Sequence, residues 1–402
     1  MKLPSDGDIS GRNLGREELS ILKKVIESGT LNCTKGTVVK EFEKRFAEKY
    51  AVPFCRTTTS GTASIHTAIA GIDPEPGDEI ITTGITDMGA IAPIIYQTAI
   101  PVFADVDPLT YNITAERIEK RITRRTKGIM VTHLFGNPCD MDPIMSLAKE
   151  KGIPVIEDAC QSYFAEYKGK LVGTIGDIGC FSLQQGKHMT TGEGGIVVAM
   201  NGNFARRMWL YIDKAWGYGD PKPDHYFLAL NYRMTELQGA VALAQIDKVD
   251  EVVKKRIETA EKLTSIISDV EGVGTPKITL NSKHVYWKYP LKIDDRVIKG
   301  GVDSFAARLK EKGIFSAPRY IQKPAFMCQV LADRNTFGNS HFPFEGAHRK
   351  DDPPVVYDPE DYPGTFDALS HVVVLPWSEF YTDEHVNYIA ENIKDAARAL
   401  RR

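Results

Sequence analysis

The chain has 402 residues, 42% hydrophobic and 26% charged, which is ordinary for a globular protein and long enough that two domains are expected. Its 50 basic and 53 acidic residues leave a formal net charge of -3, and no long run of one sign supplies an electrostatic footprint for nucleic acid or an anionic membrane. The six cysteines form no CxxC pair and no cluster with histidine at metal-ligand spacing, so they read as reduced thiols, with no metal site.

Met1 to Arg12 is polar and lacks the apolar core of a secretory signal, and no apolar run approaches the roughly 20 residues of a spanning helix. A cytoplasmic protein is therefore expected. Leu19, Leu22, Val25 and Ile26 recur at helical spacing between Arg16 and Ser28, with Gly29 as a stop, and Thr37 to Tyr50 carries Val38, Val39, Phe42, Phe46 and Ala47 on one face. Thr57-Thr58-Thr59-Ser60-Gly61-Thr62 then leads directly into a helical run. A small-residue turn that opens a helix exposes free amides at its positive end, which suits a phosphate, although Ser and Thr also serve as plain caps.

From Glu79 onward the pattern alternates. Glu79–Thr82, Pro101–Val106, Gly128–Thr132, Pro154–Glu157, Gly179–Leu183 and Gly195–Ala199 read as short strands. Met88–Gln97, Thr114–Ile122 and Asp142–Lys151 read as helices between them. Alternation of this kind predicts an α/β layer with a mostly parallel sheet, whose ligand lies beyond the carboxyl ends of the strands. Asp158, at the end of one such strand, and Gln161 just after it are therefore candidates, with helix capping as the alternative for Asp158.

A long helical stretch from Asn231 to about Ile267 reads as the connector to a smaller α+β part. In that part His284–Ile293 and His371–Pro376 are strands, Val302–Lys312 and Thr382–Arg401 are helices, and Asp333–Pro363 is a long loop. The expected domains are residues 1–250 and 251–402.

Lys187 stands in the turn Ser182-Leu183-Gln184-Gln185-Gly186-Lys187-His188-Met189-Thr190-Thr191-Gly192-Glu193-Gly194-Gly195. Alone it reads as a solvated loop charge. With a phosphate cup and an acid at a buried strand end, the set matches what pyridoxal phosphate chemistry requires: a phosphate holder, an acid for the pyridine nitrogen, and an amine for the Schiff base.

These residues, together with Phe42-Glu43, Ser60-Gly61-Thr62, Pro101-Val102-Phe103-Ala104-Asp105, Ile156-Glu157-Asp158-Ala159-Cys160-Gln161, Gly176-Asp177-Ile178-Gly179-Cys180-Phe181-Ser182 and Asn231-Tyr232-Arg233-Met234, resemble the DegT/StrS family of pyridoxal-phosphate-dependent sugar aminotransferases over nearly the whole chain. The resemblance implies a fold type I architecture, with a mostly parallel seven-stranded-type sheet followed by a small C-terminal α+β domain.

It also implies roles. Lys187 would form the Schiff base with pyridoxal 5'-phosphate, Asp158 would pair with the pyridinium nitrogen, and Gln161 would lie against the ring or its 3-hydroxyl. Gly61, Thr62 and Ser182 would hold the phosphate. Asn231 would reach the partner's phosphate in a homodimer with shared sites.

The aromatic residue that stacks on the ring in this family falls at Asp87, a carboxylate with no flat apolar face. Either Met88 or a neighbour covers the ring, or Asp87 addresses substrate or cofactor, or it caps the next helix. Arg319 and Tyr320 are candidate substrate contacts. Tyr286 and Trp287 are pocket walls or core packing, and His188 is a neighbour in the turn rather than a catalyst. The implied reaction takes an amino group from glutamate or glutamine to a ketosugar, nucleotide-linked in most of the family. Gln184-Gln185 points instead to the branch that uses inosose-type cyclitols. A cofactor-binding regulator without turnover is a further alternative.

Overall fold

The computed structural model describes residues 1–402. Its centre is a seven-stranded sheet built from β1 (Phe54–Thr58), β2 (Glu79–Thr83), β3 (Ile100–Ala104), β4 (Thr126–Thr132), β5 (Val155–Asp158), β6 (Ile178–Ser182) and β7 (Gly195–Ala199), in the order β1-β7-β6-β5-β4-β2-β3. β7 runs antiparallel to both neighbours and every other pairing is parallel. β2, β5, β6 and β7 are buried along their whole length, because helices cover both faces; this is why β7, Gly-Ile-Val-Val-Ala, reads as a continuous apolar run rather than an alternating one.

Local chemistry sets the helices that flank the sheet. α1 (Arg16–Ser28) opens with Glu18 accepting from the Gly15 amide and closes at Gly29, whose φ of 67° suits glycine. α2 (Val38–Tyr50) buries Val39, Phe42, Phe46 and Tyr50. α3 (Gly61–Ile72) follows β1 and lies against β6 and β7, so the chain crosses the sheet before entering β2. α4 (Met88–Tyr96) joins β2 to β3.

The expected strands and helices occur; two-residue strands that were not anticipated, among them Glu166–Tyr167, Lys170–Leu171 and Ser282–Lys283 in a small third sheet, are added, and three larger differences stand out. β1 was not anticipated, because Phe-Cys-Arg-Thr-Thr is polar and takes its place by pairing with β7. A helix over Gly202–Ile212, capped by Asn201, was also not anticipated. The connector expected to run to Ile267 is two helices, Glu236–Gln245 and Val249–Ile267. Nothing between them is a helix breaker. Gln245 and Lys248 both turn their side chains to Asn13 and Glu18, so long-range contacts set the kink.

Beyond the connector, a four-stranded antiparallel sheet (Val273–Gly274, Lys288–Ile293, Val372–Pro376, Ala317–Pro318) packs on the helices Val249–Ile267, Gly301–Glu311 and Asp383–Ala399 around Tyr289, Leu291, Phe305, Trp377 and Ile393. The expected loop over 333–363 is mostly irregular but not loose. Phe344 and Tyr362 bury themselves with Ile91, Ile95, Ile100 and Phe103, and the Tyr357 hydroxyl donates to the Pro101 carbonyl at 2.7 Å. The segment thereby covers β3, the edge strand that an open sheet would otherwise expose.

Candidate active site

The turn after β6 is a tight connection held by its own backbone. The Leu183 amide donates to Gly194 at 2.8 Å, Gln185 to Gly192 at 2.9 Å, and Gly192 takes φ +82°. Two distant side chains fix its tip. Arg12 Nη1 donates to the Lys187 carbonyl at 2.7 Å, and Trp287 Nε1 donates to the Gly186 carbonyl at 2.7 Å.

The Lys187 amine lies 4.0 Å from the centre of the Trp287 ring. Burial lowers its proton affinity from the ordinary lysine range, opposed by the negative charge that Asp158, Asp87 and Asp6 place nearby. His188 is buried next to it and donates from Nε2 to the Val285 carbonyl at 2.9 Å. Burial holds it well below the usual histidine range, so it is a neutral packing residue.

Facing this turn is the start of α3. Ser60 Oγ accepts from the Ala63 amide at 3.0 Å, while the Gly61 and Thr62 amides have no partner in the chain. A Cβ on Gly61 would stand 2.7 Å from Ser182 Cβ and 2.9 Å from its hydroxyl, so only glycine lets that hydroxyl sit against the helix end. α4 begins close by: a Cβ on Gly89 would meet the Thr62 hydroxyl at 2.5 Å. Two positive helix ends therefore converge where Thr62 and Ser182 offer hydroxyls. Asp87 caps α4, its Oδ1 accepting from the Gly89 amide at 2.7 Å. The same carboxylate acts on Lys187 and Tyr320, so it both caps the helix and contributes charge to the site.

Asp158 ends β5 and is buried. Its Oδ1 accepts from the Cys160 amide at 3.1 Å and its Oδ2 from the Thr132 hydroxyl at 3.3 Å, one donor to each oxygen. Glu157, on the opposite face of β5, instead accepts from the amides of Gly173, Ile175 and Gly176 and from His133, and braces the loop that leads into β6. Gln161 Oε1 accepts from the Phe135 amide at 2.8 Å, and its Nε2 donates to the Tyr320 hydroxyl at 3.3 Å.

Tyr320 and Arg319 take φ of 53° and 66°, a sharp turn that sends the tyrosine inward against Phe135. Arg319 does not follow it. Its guanidinium forms a two-bond fork on Asp303, one contact at 2.7 Å, where a matched carboxylate satisfies it. Tyr286 stacks on His284 at 4.0 Å within the small core, while Trp287 meets Lys187.

Asn231 is exposed and accepts only from its own chain, from the Arg233 amide at 3.2 Å. Its arm is held by the Tyr232 amide donating to Ile212 at 2.8 Å, by an Arg233–Asp213 ion pair, and by the Tyr232 hydroxyl against His66 Nδ1 at 2.8 Å. The structure thus brings Lys187, Gly61, Thr62, Ser182, Asp158, Gln161, Asp87 and Tyr320 to one end of the sheet, while Arg319 and Asn231 point elsewhere in the single chain. Sequence reasoning missed Arg12, which reaches the Lys187 carbonyl from 175 residues away; no local pattern signals such a contact.

The profile of the DegT/DnrJ/EryC1/StrS aminotransferase family matches residues 12–394. The GDP-perosamine synthase of Caulobacter vibrioides is 35% identical over 302 residues, covering 72% of this chain and 79% of that protein. A putative L-glutamine:3-amino-2,3-dideoxy-scyllo-inosose aminotransferase of Micromonospora echinospora is 35% identical over 280 residues, 68% of this chain and 67% of that one. The crystal structure of an aminotransferase from Psychrobacter cryohalolentis superposes with a TM-score of 0.85 at 27% identity, covering 97% of this chain and 98% of that one. The chain belongs to the DegT/DnrJ/EryC1/StrS aminotransferase family and has the fold type I architecture of an aminotransferase.

Proposed function

We propose that this aminotransferase holds pyridoxal 5'-phosphate on Lys187 and moves an amino group from glutamate or glutamine to a nucleotide-linked ketosugar in amino-sugar biosynthesis. The observation that carries the reading is the convergence of a desolvated amine, a buried carboxylate with spare acceptor capacity, and a cup of free amides beside two hydroxyls. These donors and acceptors fit the cofactor's aldehyde, ring nitrogen and phosphate respectively.

When bound, the cofactor supplies the carbonyl that takes up nitrogen and a ring that withdraws electrons. The chain's own residues do the rest. The Gly61 and Thr62 amides, with the Thr62 and Ser182 hydroxyls, bind the phosphate. Asp158 keeps the ring nitrogen protonated. Lys187, with its proton affinity lowered by burial, takes and returns a proton at Nζ. Gln161, fixed by Phe135 and Tyr320, orients the ring edge.

Asn231 reads as a phosphate ligand given to a partner subunit in a homodimer. This is supported by its exposure and by the apolar side chains bared near it, Leu228 at 94% exposure and Trp209 at 49%. The site then lies where residues 1–250 meet 251–402, read as two domains, since Trp287 and Tyr320 come from the second. No helix is long and apolar enough to cross a membrane, and a cytoplasmic enzyme is the reading we adopt.

The nucleotide-linked acceptor is supported by likeness to a GDP-perosamine synthase. A cyclitol acceptor is the second reading, favoured by likeness to a scyllo-inosose aminotransferase. Gln184 and Gln185, which resemble that branch, are held in the turn, the first accepting from the Gly186 amide and the second donating to the Asp6 carbonyl. The test is to convert the loaded enzyme with glutamate or glutamine, then add nucleotide-linked ketosugars and inososes separately. The true acceptor restores the absorbance of the lysine-linked cofactor, and restoration by inososes alone would replace the first reading with the second.

A further inference from the structure

The Trp287 indole, fixed through Gly186, meets two amines rather than one: Lys187 Nζ lies 4.0 Å from the ring centre and Lys288 Nζ 5.0 Å. The charge of one is felt at the other. The Lys288 side chain is 18% exposed, and its carboxylate neighbour is Asp6 of the N-terminal segment, at 3.3 Å. Asp6 also stands 3.7 Å from Arg12 Nη2, which is buried and makes no hydrogen bond.

The charges do not balance. Arg256 closes on Glu379 at 2.8 Å, a carboxylate whose charge also reaches Arg12. Asp158 and Asp87 add negative charge near Lys187, but neither pairs with Lys288 or Arg12. Lys288, Arg12 and Arg256 therefore share two carboxylates, Asp6 and Glu379, in a partly desolvated place, which calls for a further anion.

Asp6 is suited to give way. Its backbone carbonyl accepts from Gln185 Nε2 at 2.9 Å and from Arg12 Nε at 3.0 Å, so the segment stays in place when the carboxylate turns out. An amino acid that delivers nitrogen at Lys187 carries its α-carboxylate one carbon from that nitrogen. The anchor for it must lie beside Lys187. A sugar's diphosphate is separated from the reacting carbon by the sugar ring.

We propose that Lys288, seated with Lys187 against Trp287, anchors the α-carboxylate of the amino donor, and that Asp6 occupies its ammonium when no donor is bound. This rests on the amino-transfer reading above. It makes Lys288 a donor-binding residue and Asp6 a displaceable counter-ion.

The test titrates glutarate, a dicarboxylate without an amine, into the cofactor-loaded full chain by calorimetry, with inorganic phosphate as a second probe. Lys288→Met should weaken glutarate roughly tenfold or more, the loss of one charge-assisted contact, and should raise the glutamate concentration needed for half-maximal conversion of the cofactor by a similar factor. Asp6→Asn should tighten glutarate severalfold, a gain that a merely structural Asp6 would not give. Unchanged glutarate binding in Lys288→Met, or weakened binding in Asp6→Asn, would overturn the proposal. So would loss of phosphate binding alone, which would assign Lys288 to the acceptor. Failure of the amino-transfer reading shows separately, as a wild-type protein that takes up no pyridoxal phosphate on Lys187.

Discussion

The Lys187 turn and the Asn231 arm are the two ends of the proposed cofactor site, and they are built differently. The turn is closed within the chain: Arg12, Trp287, Gly194 and Gly192 all bond to its backbone, and its lysine is desolvated. The arm is equally well fixed, by Tyr232, Arg233 and the end of the helix Gly202–Ile212, yet its asparagine faces outward. In the proposed homodimer, this rigid arm presents its polar side chain to a neighbour, so that a single chain holds the chemistry and a second copy completes the binding.

The largest expected effect breaks the closed half. Lys187→Ala should lower turnover by several orders of magnitude while leaving the fold intact, measured as steady-state amino transfer. Asp158→Asn follows, because in the proposed function it removes the charge that would keep the ring nitrogen protonated; kcat should fall about 100-fold or more. The open half is tested by mixing. Lys187→Ala and Asn231→Ala chains, each deficient alone, should after exchange of subunits recover about a quarter of wild-type activity per chain, since hybrid dimers then hold one intact composite site. No recovery would place Asn231 outside the site.

Gly61→Ala sharpens the contrast at the cup. With Ser182 Cβ 2.7 Å away, the added methyl should cost about 1–3 kcal/mol of stability in thermal unfolding and weaken cofactor affinity measured by dialysis. An effect of comparable size, spread over pH and without consequence for the chemistry at neutral pH, concerns His66, which joins α3 to the arm through Tyr232 and Tyr211. Burial lowers its proton affinity from 6.5 to about 4. The unfolded chain binds the extra proton first, so stability is full above about 6.5 and is lost as pH falls toward 4. The loss is on the order of 3 kcal/mol, read from denaturant midpoints across that range.

Much of this was legible before the structure. Strands such as Val155–Asp158 and Gly195–Ala199 announce themselves because both faces are buried, and α1 because its cap and stop residues are local. The order of cup, acid and lysine was readable because each sits just past a strand or at a helix start. What was not legible depends on distance along the chain. β1 is a strand only because β7 lies beside it, and the break after Gln245 exists because Glu18 and Asn13 are there. Arg319 and Tyr320 are adjacent in sequence, and only the left-handed turn at both residues sends one to the site and the other to Asp303.

Borohydride reduction of the protein loaded with pyridoxal phosphate, followed by peptide mapping, asks the decisive question. Lys288, the other amine against Trp287, serves as an internal control. The reduced cofactor should be found on Lys187 alone; attachment to Lys288, to another lysine or to none would contradict the assignment of Lys187 as its carrier.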